Sequence, residues 1–106
     1  MAEAPQVDET PQIDPADQFE VHPFYVFRWE ESQEAHVLLY PEGVVKLNDT
    51  AAEILKLCDG DRSVTQIIDE LKNVYDVSDP DTASRIEAGV YKFLEDSHAK
   101  GWTRRK

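Results

Sequence analysis

Residues 38–60 read LLYPEGVVKLNDTAAEILKLCDG, and within them the apolar pattern changes from that of a strand to that of a helix. Pro41-Glu42-Gly43 predicts a turn, because proline presets φ and glycine tolerates positive φ. The run Val44-Val45-Lys46-Leu47 predicts a short strand after that turn. Apolar residues then recur at helical spacing on one face, at Ala51, Ile54, Leu55 and Cys58.

Two further strands are predicted upstream of this stretch. The segment Phe24–Trp29 is rich in aromatic and β-branched residues and follows Pro23, which favours an extended entry. The apolar run His36–Tyr40 predicts a second strand that ends at the turn. With Val44–Leu47 as the third, these strands predict a small antiparallel three-stranded sheet.

Three helices are predicted from their caps and their apolar spacing. Thr50 with Glu53 fits a capping box for the first helix, and Asp59-Gly60 is predicted to end it. Ser63 with Gln66 fits a second capping box. The second helix then has an apolar face made of Val64, Ile67, Ile68, Leu71 and Tyr75.

The third helix is predicted to start at Asp79-Pro80, since proline is tolerated in the first turn, and to stop near Gly101. Its apolar stripe is predicted to contain Ala83, Ile86, Val90, Phe93 and Ser97, with Tyr91 and Leu94 on the flank. Trp102 is expected to fold back onto the core, and Arg104-Arg105-Lys106 forms a short basic end. A small sheet needs helices on one face to be stable, so the order predicts an α+β fold of winged helix-turn-helix type.

The first part of the chain differs from the rest in composition. Residues 1–18 contain three prolines and few large apolar residues, too few to offset the entropy of ordering. They are predicted to be a disordered tail or linker, with one folded domain over residues 19–106. The chain carries a net charge of −11, and six acids without a base precede residue 21.

No pattern for catalysis or for a bound cofactor is found. Cys58 is the single cysteine and lies on an apolar helix face, which is typical of a structural thiol. His22, His36 and His98 lack the spacing of metal ligands, and no glycine-rich phosphate loop is present. We therefore expect no enzyme activity, no metal and no cofactor.

A winged-helix pattern also raises DNA binding as an alternative. Such a protein should direct Arg or Lys toward phosphates and base edges. Here the third helix carries Arg85 and Lys92 among a larger number of acids. The charge therefore disfavours nucleic acid as a partner. With neither an apolar run long enough to span a membrane nor a secretory signal, a cytoplasmic protein that does not bind membranes is expected.

The run from Leu38 to Gly60 resembles the signature of the PqqD family, and residues 63–71 are similar to the continuation of that signature. Phe27-Arg28-Trp29-Glu30 and Phe93-Leu94 also fit, so that the resemblance covers about residues 24–102. It implies a peptide-recognition domain of pyrroloquinoline quinone (PQQ) biosynthesis. Such a domain binds the ribosomal precursor peptide PqqA and presents it to the radical S-adenosylmethionine (SAM) enzyme PqqE. Recognition of the leader of a different modified peptide is the alternative.

The resemblance also implies a binding mode, in which the leader peptide adds as a strand beside the third strand and packs against the third helix. On this basis the peptide-binding residues are expected on that strand and that helix. They are Val44, Val45, Lys46, Leu47, Arg85, Ile86, Val90, Tyr91 and Leu94. Tyr91 is expected to contact the peptide from the flank of the helix.

Overall fold

The computed structural model describes residues 13–106, along which six strands and three helices follow one another. Their bounds are β1 Gln18–Val21, β2 Val26–Glu30, β3 Ala35–Tyr40, β4 Gly43–Lys46, α1 Asp49–Lys56, β5 Asp59–Ser63, α2 Val64–Val74, α3 Pro80–Ala99 and β6 Thr103–Arg105. This is an α+β architecture with a three-stranded antiparallel sheet ahead of the helices. The predicted fold class is confirmed.

The sheet β2–β3–β4 is the one that the sequence predicts, with β3 in the centre. Leu38 of β3 pairs with Phe27 on one side and Val45 on the other, and all three face the core. Successive side chains of a strand point to opposite faces. The neighbouring row, Val26–Leu39–Val44, therefore lies on the outer face.

A second sheet of order β5–β1–β6 was not predicted. The first helix ends at Lys56, so Asp59 and Gly60 open β5 rather than ending α1. The basic end is likewise more than a tail, because residues 103–105 pair with β1 as β6. Both strands are largely polar and show no alternation of apolar residues. Pairing with β1 sets the place of both strands, and β6 also forms the ion pairs Arg104–Glu20 (2.7 Å) and Arg105–Asp17 (3.0 Å).

The segment before β1 is joined to the helical part of the fold. Ile13 packs against the core, and the amide of Val64 donates to the carbonyl of Asp17 at 2.9 Å. Gln18 is already the first residue of β1. Residues 13–18 of the predicted tail are therefore part of the described fold, while residues 1–12 lie outside the described residues.

Caps place the first two helices. The predicted capping box of Thr50 and Glu53 is wrong, because Asn48 is the N-cap of α1 and accepts from the amide of Ala51 at 2.8 Å. Asn48 has the extended backbone that an N-cap requires, so the helix starts one residue before Thr50. The predicted capping box of Ser63 and Gln66 at α2 is confirmed.

The third helix begins as predicted, with Asp79 as N-cap and Pro80 in the first turn. Its buried residues are Val90, Leu94 and Ser97, so Leu94 belongs to the core and not to the flank. These three residues form one stripe along the helix, which is slightly rotated from the predicted stripe. Gly101 ends the helix with φ +82°, and Trp102 packs against the core as predicted.

One hydrophobic core joins the two sheets and the helices. Its buried members are Phe19, Leu38, Leu47, Ile54, Leu55, Cys58, Val64, Ile67, Ile68, Leu71, Val90 and Leu94. Within residues 13–106, no helix has both the length and the apolar character needed to cross a membrane.

Candidate functional site

The outer edge of β4 can accept another strand. Only β3 pairs with β4 in this sheet, and the amide of Leu47, just beyond β4, donates to the carbonyl of His36 at 3.0 Å. Residues of an antiparallel strand alternate between main-chain groups directed at one neighbour and at the other. Val45 therefore bonds toward β3, whereas Val44 and Lys46 direct their N–H and C=O groups to the open edge. These two residues offer two donors and two acceptors to an incoming chain.

A groove of about 200 Å³ lies among the three helices. Its lining is mostly apolar and consists of Thr50, Ile54, Leu71, Tyr75, Arg85, Ile86, Gly89 and Val90. Thr50 is in the first turn of α1, which follows β4 almost directly. The chain thus passes from β4 to the groove lining within four residues, and we call the open edge and the groove together the β4 edge and groove.

Arg85 is the charged residue of the groove lining. It is exposed, and none of the hydrogen bonds or ion pairs formed by residues 13–106 involves its guanidinium. The chain as a whole is strongly acidic, with a net charge of −11. A cation without a partner beside an apolar groove favours a ligand that brings its own carboxylate.

The predicted site residues fall into three groups. Arg85, Ile86 and Val90 line the groove, and Val44 and Lys46 lie at the open edge of β4. Leu47 and Leu94 are buried in the core, Val45 faces it, and Val90 is 1% exposed although it lines the groove, so the access of a ligand to these four side chains is restricted. Tyr91 belongs to neither part of the β4 edge and groove.

Tyr91 lies on the other flank of α3, in a second pocket of about 250 Å³. That pocket is lined by Pro15, Thr65, Ile68, Asp69, Lys72, Glu87 and Tyr91. Burial and the nearby carboxylates of Glu87, Asp14 and Asp17 raise the pKa of the Tyr91 phenol. The structure therefore places Tyr91 against α2 and the segment before β1, and not with Ile86 and Val90.

Several groove residues were missed by the sequence analysis. Thr50, Ile54, Leu71, Tyr75 and Gly89 also line the groove. Two of them left a signal in the sequence. Gly89 interrupts a helical pattern at an interior position, where glycine is unfavourable. Tyr75 is the last residue of the apolar face predicted for the second helix, and 48% of it is exposed in the structure.

Within residues 13–106, the titratable groups outside the groove do not form a reactive centre. Cys58 is buried, and burial together with the charge of Asp59 raises the pKa of its thiol to about 12. The thiolate that nucleophilic chemistry needs is therefore disfavoured. Among residues 13–106, no group of three or more His, Cys, Asp or Glu side chains is arranged to hold a metal ion.

Comparison with known proteins gives the family. The model of the family "Coenzyme PQQ synthesis protein D (PqqD)" matches residues 35–102, which include β4, α1, α2 and all of α3. The chain belongs to the PqqD family. PqqD proteins are recognition elements and not catalysts, so the chain is not an enzyme, in agreement with the sequence analysis.

Individual PqqD relatives cover most of the chain. A protein of Methylococcus capsulatus named PqqA binding protein is 44% identical over 92 residues, which are 87% of this chain and 92% of that one. A protein of the same name from Azotobacter vinelandii is 49% identical over 76 residues, or 72% of this chain and 77% of that one.

A solved structure agrees with the fold. It is the solution NMR structure of the PqqD truncation of Methylobacterium extorquens PqqCD, which represents a functional and stand-alone RiPP recognition element (RiPP, ribosomally synthesised and post-translationally modified peptide). The TM-score is 0.73 at 31% identity, and the match covers 92% of this chain and 100% of that one.

Proposed function

We propose that this chain binds a precursor peptide of the PqqA type by adding it as a strand to β4. The observation that carries the proposal is the β4 edge itself, where Val44 and Lys46 turn main-chain groups outward a few residues before the groove-lining Thr50. In β-augmentation, main-chain hydrogen bonds give affinity and pockets for alternate side chains give specificity. The relatives named PqqA binding protein support the choice of peptide.

The free energies of hydrogen bonding, apolar burial and association indicate that the edge and the groove must act together. Four strand hydrogen bonds, at a net ~0.5–1.5 kcal/mol each, contribute roughly 2–6 kcal/mol. Association of two molecules costs about 4–15 kcal/mol. Burying one bulky apolar side chain contributes about 1.5–3 kcal/mol more. The backbone edge alone is therefore too weak, and the peptide is expected to place apolar side chains in the groove.

The bound peptide is delivered, in this proposal, to a radical SAM enzyme of the PqqE type during PQQ biosynthesis in the cytoplasm. Binding of the peptide as an extended strand supports this role, because it holds the peptide in one register while the rest of the peptide stays accessible. Neither nucleic acid nor a membrane is a partner in this scheme.

The test separates the main-chain groups of Lys46 from its charge. Lys46→Pro removes an outward N–H, and proline is tolerated on an edge strand whose N–H faces solvent. Lys46→Gln removes only the charge. We expect Lys46→Pro to lower affinity for a synthetic PqqA-type peptide by about threefold to tenfold relative to Lys46→Gln, as measured by calorimetry, since one hydrogen bond is lost.

A ¹⁵N-NMR titration with the same peptide checks the location. Shifts concentrated at residues 44–47 and 85–90 agree with the proposal, whereas equal affinities of the two Lys46 variants contradict strand addition at β4. Absence of any shift at millimolar peptide contradicts PqqA-type binding altogether. Titration with leader peptides of other modified-peptide pathways, and with duplex DNA, then tests the alternatives.

A further inference from the structure

Gly89 is a glycine in the middle of a 20-residue helix, α3. Interior glycine destabilises a helix relative to almost any other residue except proline. Two ordinary reasons for such a glycine are absent here. Its φ is not in the positive region, in contrast to Gly60 and Gly101, and a Cβ built on Gly89 would meet no described atom within 4 Å apart from its chain neighbours and the adjacent helix backbone. Neither backbone conformation nor close packing requires glycine at this position.

The open space over Gly89 belongs to the groove. One face of α3 lines the groove. Arg85 and Gly89 are one helical turn apart on this face, as are Ile86 and Val90. A side chain at position 89 would project into this space and reduce it. The missing side chain therefore keeps room in the groove that the protein's own residues do not fill.

We propose that Gly89 determines the specificity of the groove, by reserving space for one bulky apolar side chain of the bound peptide. This inference rests on the proposed function. The lining by Ile54, Leu71 and Ile86 is apolar. The volume, about 200 Å³, is sufficient for a large aliphatic or aromatic side chain, since a cavity of about 150 Å³ can hold benzene.

The charge of Arg85 and the closeness of β4 in the chain further define the peptide segment that occupies the groove. Arg85 lies one turn before Gly89 and has no ion-pair or hydrogen-bond partner within residues 13–106. Thr50, which lines the groove, follows Lys46, the last residue of β4, by four positions in the chain. The occupant is therefore an extended peptide segment, paired with β4, that carries a bulky apolar residue with a carboxylate residue near it.

A variant whose own side chain fills the groove tests the proposal. Gly89→Leu places a leucine side chain in the groove, and Ala88→Leu adds the same side chain at an exposed neighbouring position that lines neither pocket. Thermal unfolding should show no loss of stability for Gly89→Leu, because leucine is a far better helix former than glycine. Its affinity for a synthetic PqqA-type peptide should fall by about tenfold to one hundredfold. Ala88→Leu should bind as the wild type does.

Peptide variants then identify the residue that enters the groove. Each bulky apolar residue of the peptide is replaced by alanine, and binding to wild type and Gly89→Leu is compared in a double-mutant cycle. One replacement should weaken binding to the wild type and have little effect on Gly89→Leu.

If Gly89→Leu is folded and binds every peptide as tightly as the wild type, the proposal is overturned. In that case a continued loss of affinity in Lys46→Pro would leave the proposed function intact. Failure of both Lys46→Pro and Gly89→Leu to weaken binding would overturn the binding site as a whole. A Gly89→Leu variant that does not fold is replaced by Gly89→Ala, for which the same outcomes apply with a smaller change in affinity.

Discussion

The hydroxyl oxygens of Ser97 and Thr103 lie 2.9 Å apart in the interior, where both residues are almost completely excluded from solvent. Ser97 is in the last turns of α3, and Thr103 is the first residue of β6. The hydrogen bond therefore fastens the helix that lines the groove to the second sheet. The amide of Trp102, which donates to the carbonyl of Ser97 at 2.9 Å, reinforces the same junction.

Removing both of these hydroxyls should cost less stability than the two single removals added together. Ser97→Ala leaves the Thr103 hydroxyl buried without this partner, which we expect to lower the free energy of unfolding by about 1–3 kcal/mol. Adding Thr103→Val should cost less than the sum of the single changes, because no buried polar group is then left unsatisfied. Urea unfolding measures these values, with the exposed Ser84→Ala as control. Strict additivity would mean that the two hydroxyls do not interact.

Arg85 should contribute to peptide affinity through its charge. We expect Arg85→Gln to weaken binding of the peptide by about twofold to fivefold at low salt, since an exposed ion pair contributes about 0.2–1 kcal/mol. The difference from wild type should shrink as salt is added. Lys92→Gln, on the same helix but outside both pockets, is the matched control. An equal loss in Lys92→Gln would reveal only a general effect of net charge.

Tyr91 distinguishes the two flanks of α3. Its side chain lies in the second pocket, with Pro15 and Glu87, so Tyr91→Ala should lower the melting temperature by loosening the contact with the segment before β1. Affinity for the peptide should be unchanged if the groove is the binding site. A selective fall in affinity, with an unchanged melting temperature, would move the site from the groove to the second pocket.

The stability that comes from attaching the segment before β1 should decrease as the pH becomes acidic. Burial acts to raise the pKa of Asp17, but the hydrogen bond from the amide of Asp14 and the guanidinium of Arg105 outweigh it, so the pKa lies below the ordinary 3.8. A carboxylate with a lowered folded-state pKa contributes stability above its unfolded-state pKa, and this contribution is lost as the pH falls through the folded-state pKa. Asp17→Asn should therefore reduce stability at neutral pH, and its difference from wild type should shrink as the pH falls below 3.8, the ordinary pKa of the carboxyl.

The control for this pH experiment is Glu70→Gln, because Glu70 is exposed and takes part in none of the ion pairs within residues 13–106. Urea unfolding at several pH values gives the comparison. If the difference between Asp17→Asn and wild type is constant from neutral to acid pH, the ionised form of Asp17 is not the source of the stability.

Local signals were sufficient to predict the first sheet and the helices. The turn at Pro41–Gly43 and the β-branched run that follows fix β4, and the Ser63 and Asp79 caps fix the starts of α2 and α3. The second sheet has no comparable signal. β5 and β6 are short and polar, and they become strands only because β1, distant in sequence, pairs with both.

Only part of the site was predicted, because the rest of it depends on tertiary packing. The edge of β4 follows from the position of that strand at the end of a meander, which is a local pattern. The side of α3 that faces the groove depends on the rotation of the helix about its axis, which is set by tertiary packing of Val90, Leu94 and Ser97. Val90 was predicted on the apolar stripe and Tyr91 on its flank, but the periodicity does not say which pocket each flank of the helix lines.

The position of β1 between β5 and β6 has a consequence for the order of folding. The strands β2, β3 and β4 pair with near neighbours in sequence, whereas Glu20 and Arg104 are joined across a separation of 84 residues. Contacts of large sequence separation form slowly, and during synthesis the N-terminal part of a chain emerges first. On the ribosome, the meander with its open edge can therefore assemble early. The second sheet must wait until residues 103–105 have left the exit tunnel, so a nascent chain exposes the edge of β4, where we propose that peptide binds, before its own fold is closed.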